Sequence, residues 1–94
     1  MNEEKKVYTK YLPLGTVVLL DNAKKKVSII GFRCVGQNDK EKKEYDYAGC
    51  LYPEGVISSS QSLLFNHDQI KRVYSIGYSD EEDKEFKEKL NKEL

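Results

Sequence analysis

The chain has no tryptophan, one methionine, one histidine and two cysteines among its 94 residues. A lone histidine, His67, excludes any site built on two imidazoles, which removes most zinc and copper centres and histidine-pair proton transfer. Cys34 and Cys50 lack the close spacing of a zinc knuckle and are too few for a disulfide scaffold. Sixteen basic residues offset sixteen acidic ones, so composition carries no bulk attraction to polyanions. The longest apolar run, Val17–Leu20, falls far short of the ~20 residues of a membrane span. The start Met1–Lys6 mixes charges and leads into no apolar stretch, so no export signal is expected. The expected location is therefore cytoplasmic, with reduced thiols. Glycines occur singly, which leaves no phosphate-cradling loop.

What remains is a small, polar chain with 38% apolar and 34% charged residues and seven tyrosines. That supports one modest core and no two-domain cleft. Residues 1–10 read as a polar lead-in with only Val7 and Tyr8 to bury, and residues 11–94 as a single β domain. Tyr11–Gly15 is punctuated by Pro13 and Gly15 as a turn. Thr16–Leu20 is the first strand, and Asp21-Asn22-Ala23 turns into a second, Val27–Val35. Along that second strand Ile30, Phe32 and Cys34 are assigned to one face and Val27, Ile29 and Gly31 to the other. Gly36–Lys43 has no apolar residue and joins it to Glu44–Leu51, whose alternation completes a long hairpin. Tyr52-Pro53-Glu54-Gly55 is a further turn. Leu63-Leu64-Phe65 re-enters the core, Asn66-His67-Asp68 caps a short helical turn, and Arg72–Gly77 is the last strand.

The end differs in kind. Ser79 with Glu82 fits a capping box, and acids fill the first turn. Asp80–Lys84, Asp83–Lys87, Glu85–Lys89 and Glu88–Lys92 are acid-first pairs at helical spacing. The prediction is a helix over 80–92 with a narrow apolar stripe, Phe86, Leu90 and Leu94. The expected class is mainly β (α+β): a small curved antiparallel sheet or half-open barrel of about five strands with one C-terminal helix.

No catalytic set emerges. Cys34 or Cys50 with His67 would be a nucleophile and base, but Asn66-His67-Asp68 reads more simply as a capped turn. Most carboxylates lie in solvated segments, and no cofactor or metal is called for. The chain is expected not to be an enzyme. Nucleic acid is the less favoured reading: Lys24 to Glu44 holds seven basic and three acidic residues, so Lys24, Lys25, Lys26, Lys42 and Lys43 would serve a small β-barrel with tyrosines for stacking. Against it, residues 79–94 carry a net charge of −3.

The order of the punctuation carries a resemblance. Tyr11-Leu12-Pro13-Leu14-Gly15-Thr16-Val17-Val18-Leu19-Leu20 is followed by Lys25-Lys26 and Ile29-Ile30-Gly31-Phe32. Asp46-Tyr47, Tyr52-Pro53-Glu54-Gly55, Phe65-Asn66-His67, Ile70, Val73-Tyr74 and Gly77-Tyr78 come next, before the acidic helix. Over about residues 11–90 this resembles a family of small Firmicutes proteins catalogued as domain of unknown function 4176. The resemblance implies cytoplasmic proteins encoded in type VII secretion loci beside WXG-like proteins and LXG toxins. It implies an adaptor or chaperone role and carries no catalytic residues. The implied partner is a protein, either the secreted toxin or a WXG-like protein, and self-association is left open.

A helix with so narrow a stripe packs lightly or shares its seam with another chain. Tyr74, Tyr78, Phe86 and Leu90 are therefore the candidate partner-binding residues, on the sheet face beneath the helix. The competing reading is that Phe86 and Leu90 close the core.

Overall fold

β-Branched and aliphatic residues at the expected positions pair into five strands. These are β1 (Val17–Leu20), β2 (Val27–Val35), β3 (Glu44–Leu51), β4 (Leu63–Phe65) and β5 (Ile70–Ser75), followed by helix α1 (Glu81–Lys92). The computed structural model describes residues 10–36, 40–57 and 62–92. The predicted lead-in, apart from Lys10, and the third member of the helical stripe, Leu94, lie outside the described residues.

The sheet is antiparallel in the order β4-β3-β2-β1-β5. It is open, with β4 and β5 as its edges, and with one α-helix among the described residues the protein is mainly β. The β2–β3 hairpin is the longest pairing, running from Val27 opposite Leu51 to Val35 opposite Glu44.

One face of the sheet holds the core. Val27 pairs with Val18 and Val18 with Val73, so these three form a row across β2, β1 and β5. Tyr47, Phe65, Ile29, Tyr11, Leu12 and Leu90 join it, with Phe32, Leu20, Leu63, Ile70 and Val73 partly buried against them. Strict alternation fails on β2. A register shift between Ile29 and Gly31 inserts an extra residue, so Ile30 is exposed while Ile29 and Phe32 both serve the core. The predicted grouping of Ile30 with Phe32 is thus corrected, because a bulge reverses the side-chain parity beyond it. Cys34 pairs with Tyr45 and Cys50 with Ser28, well apart on the hairpin, and both are free thiols. Burial pushes the Cys34 thiol above its usual range.

Tyr11 and Leu12, expected in a turn, are core residues. Both backbone N–H groups donate to the Tyr47 hydroxyl oxygen, at 3.0 and 3.1 Å. Tyr47 in turn bonds His67 Nδ1 at 2.8 Å. With two donors on its oxygen, Tyr47 sends its own proton to His67, which fixes Nδ1 as the acceptor. Asp46 holds the same corner from the neighbouring position. Its carboxylate accepts from His67 N at 2.8 Å and pairs with Lys10 at 3.2 Å. Its backbone N–H donates to Asn66 Oδ1 at 3.0 Å.

The helix begins one residue later than the capping box predicts. Asp80, not Ser79, is the cap: Asp83 N–H donates to Asp80 Oδ1 at 3.1 Å. Ser79 instead donates its hydroxyl to Asp83 Oδ2 at 2.7 Å, and Lys87 pairs with the same carboxylate at 2.8 Å. Burial alone would raise the Asp83 carboxyl. The hydrogen bonds from Lys87 and Ser79 and the Lys87 charge outweigh it and hold the group below its ordinary value. Replacing Asp80 with alanine is expected to cost about 1 kcal/mol, the usual worth of such a cap. Ser79→Ala is expected to cost less, and paired thermal melts check the order.

Candidate functional site

Phe32, carried inward by the β2 bulge, meets the helix through Phe86, ring centroids 6.1 Å apart. Phe32 also lies 6.1 Å from Tyr47 and 5.7 Å, edge-on, from Tyr11. Tyr47 stacks on Phe65 at 5.2 Å. Aromatic rings therefore run without a break from the deepest part of the core to Phe86, a residue 42% exposed. Leu90, one turn later, is 4% exposed.

Between helix and hairpin lies an open cleft of about 330 Å³ lined by Phe32, Arg33, Glu44, Phe86 and Leu90. Its polar wall is a two-pronged ion pair. Arg33 Nε donates to Glu44 Oε2 at 3.1 Å and Nη2 to Oε1 at 3.3 Å. Arg33 holds φ at +48°, a left-handed conformation that disfavours any residue with a Cβ. From that position its guanidinium reaches Glu44 and the cleft. The cleft thus has an apolar floor and a charged wall.

The four predicted residues separate into three places. Phe86 and Leu90 meet at the cleft. Tyr74 does not: Val73 belongs to the core row, so its neighbour Tyr74 points to the other face of the sheet. Tyr78 is 81% exposed in the segment before the helix, its hydroxyl donating to Asp80 Oδ2 at 3.3 Å. Of the competing readings for the helix stripe, Leu90 closes the core and Phe86 does so only in part.

Arg33 and Glu44 were absent from the sequence reading. Opposite charges on the two arms beside the predicted hairpin loop are a usable signal; the left-handed backbone at Arg33 is not. The five lysines of the nucleic-acid reading also separate. Lys24, Lys25 and Lys26 precede β2, while Lys42 and Lys43 precede β3 at the far end of the hairpin.

Fold and cleft together define a small α+β domain, an open five-stranded antiparallel sheet backed by one helix. Residues 11–86 match the family described as Domain of unknown function (DUF4176), and the chain belongs to that family. Neither a curated protein nor a solved structure matches it. Among the described residues no helix is long and apolar enough to cross a membrane.

Proposed function

We propose that this protein is a non-enzymatic binding protein of the cytoplasm, an adaptor or chaperone for a substrate of a type VII secretion system. The substrate is an LXG-type toxin or a WXG-like protein, as the family's secretion-locus setting implies. The observation that carries a binding role is Phe86: an aromatic ring left half outside, continuous with the core, over a cleft walled by Arg33 and Glu44. Half-exposed aromatics at the centre of a polar rim are where binding energy concentrates. Leu90 anchors the helix beneath, so Phe86 is presented on a fixed element.

The test is co-purification of the tagged protein with co-expressed LXG-type and WXG-like candidates from its own locus. Phe86→Asp is expected to abolish capture while the thermal midpoint moves by only a few degrees, since the ring is already partly solvated. Retained capture by a folded Phe86→Asp variant overturns the assignment of the cleft. Failure of every locus-encoded candidate to bind overturns the secretion role.

A further inference from the structure

The other face of the sheet carries a second, separate surface. Val27 opposes Leu51 and Val18, so the preceding Lys26 lies beside Tyr52 and Leu19. Tyr52 N–H donates to the Lys26 carbonyl at 2.9 Å, which extends the hairpin by that pair. Leu19 is paired on its other side with Arg72 of β5. Tyr52, Lys26, Leu19 and Arg72 therefore form one row across the sheet, with Tyr74 two residues along β5 from Arg72. Side-chain geometry bears this out. Lys26 Nζ lies 5.8 Å from the Tyr52 ring centroid and 5.0 Å from that of Tyr74, and the Arg72 guanidinium lies 5.0 Å from the Tyr74 ring. Both tyrosines are nearly half exposed, at 44% and 43%. Lys24 and Lys25 flank the row, and a shallow depression of about 340 Å³ opens between these lysines, Tyr52 and Pro53. Lys25 is engaged by Glu54 at 2.8 Å.

We infer that this row binds single-stranded nucleic acid. Two half-exposed tyrosines with cations over their rings match what a flexible strand presents, flat bases alternating with phosphates. A base that takes a ring face displaces the Lys26 ammonium from it, and that ammonium then meets the adjoining phosphate. Arg72 does the same at the Tyr74 end. Stacking on tyrosine favours a nucleic acid over an acidic peptide, because carboxylate side chains offer nothing to stack. The acidic helix does not oppose this. It packs on the core face through Leu90, on the opposite side of the sheet from this row. The surface shares no residue with the Phe86 cleft, so the two assignments stand or fall independently.

Fluorescence anisotropy with labelled oligothymidine and oligouridine of about ten nucleotides tests the inference on the full chain. Binding is expected at low salt, weakening about 20-fold between about 50 and 200 mM salt if about three phosphates are contacted. Tyr52→Ala and Tyr74→Ala are each expected to weaken binding about 10-fold, with Tyr→Phe at either position retaining it. Lys26→Ala and Arg72→Ala are expected to flatten the salt dependence, whereas Lys42→Ala with Lys43→Ala leaves binding unchanged. The DNA and RNA arms decide which strand is preferred. Absence of binding at low salt overturns the inference, as does equal binding by a folded Tyr52→Ala/Tyr74→Ala variant. Polyglutamate that displaces the oligonucleotide as effectively as unlabelled oligonucleotide overturns it too, since the surface would then read charge alone.

Discussion

Tyr47→Phe is expected to lower the stability of this domain by about 2–4 kcal/mol, although it removes a single oxygen. The ring is fully buried, and its hydroxyl oxygen is the acceptor for Tyr11 N–H and Leu12 N–H. Taking the oxygen away leaves two buried donors unsatisfied, at about 1–3 kcal/mol each if no water reaches them. His67 Nδ1 loses its partner as well, but His67 is only half buried and water can replace it. Against a total stability of about 5–15 kcal/mol such a loss is large. Urea denaturation of the two proteins measures it, and a change below about 0.5 kcal/mol would show that the tether of residues 11–12 is not held by this hydroxyl.

The same hydroxyl sets an alkaline limit. Burial pushes the Tyr47 phenol up to about 12, against the lowering effect of the Leu12 and Tyr11 N–H groups, with the Asp46 charge adding to the rise. An unfolded tyrosine ionises near pH 10. The folded state thus keeps its proton when the unfolded state has lost it, so the contribution is whole below about pH 10 and is lost as pH rises to about 12. The stability difference between wild type and Tyr47→Phe is expected to shrink over that window by about 3 kcal/mol. Other tyrosines and lysines titrate in both proteins and cancel in the difference.

Strand positions and the terminal helix were legible because each follows from a local period: two for β2 and β3, near four for the salt-linked helix. What local patterns do not encode was missed. Ile30 is grouped with Phe32 because alternation has no symbol for a bulge, and the bulge depends on the partner strand. Tyr11 and Leu12 were hidden by Pro13 and Gly15, whose turn chemistry masks a short segment pinned by a side chain thirty-odd residues away. At the candidate site, Phe86 and Leu90 could be read from the helix stripe. Tyr74 could not be placed, since the face it occupies depends on the irregular β1–β5 register. Arg72 and Tyr52 join Lys26 only through pairings that span the sheet. Residues joined by local spacing were found; residues joined by strand order were not.

Strand order also governs the second large effect. After β5 the chain crosses the start of β1, and Gly77 is where the two backbones touch. Its N–H donates to the buried Thr16 hydroxyl at 3.0 Å. A Cβ there would collide with the Leu14 carbonyl oxygen and come within 2.9 Å of its carbon and 3.1 Å of Thr16 N. These obstacles are backbone and cannot rotate aside. The segment they belong to is itself fastened, since Gly15 N–H donates to Ile29 O at 2.8 Å and Ile29 N–H to Thr16 O at 2.9 Å. Gly77→Ala must therefore break the crossing or distort the first β1–β2 pairs, for an expected loss of about 3–5 kcal/mol. Gly15→Ala is the informative comparison. Gly15 has φ +86°, which strains any residue with a Cβ, but the nearest atom to its added carbon is 4.0 Å away. Its cost is conformational alone, about 1–2 kcal/mol. Urea midpoints for both variants separate steric from torsional cost. If Gly77→Ala proves no worse than Gly15→Ala, the two backbones do not approach as closely as the crossing requires. If it is several-fold worse, the junction of β5 with β1 is as rigid as the core, and helix α1 is carried on a fixed base.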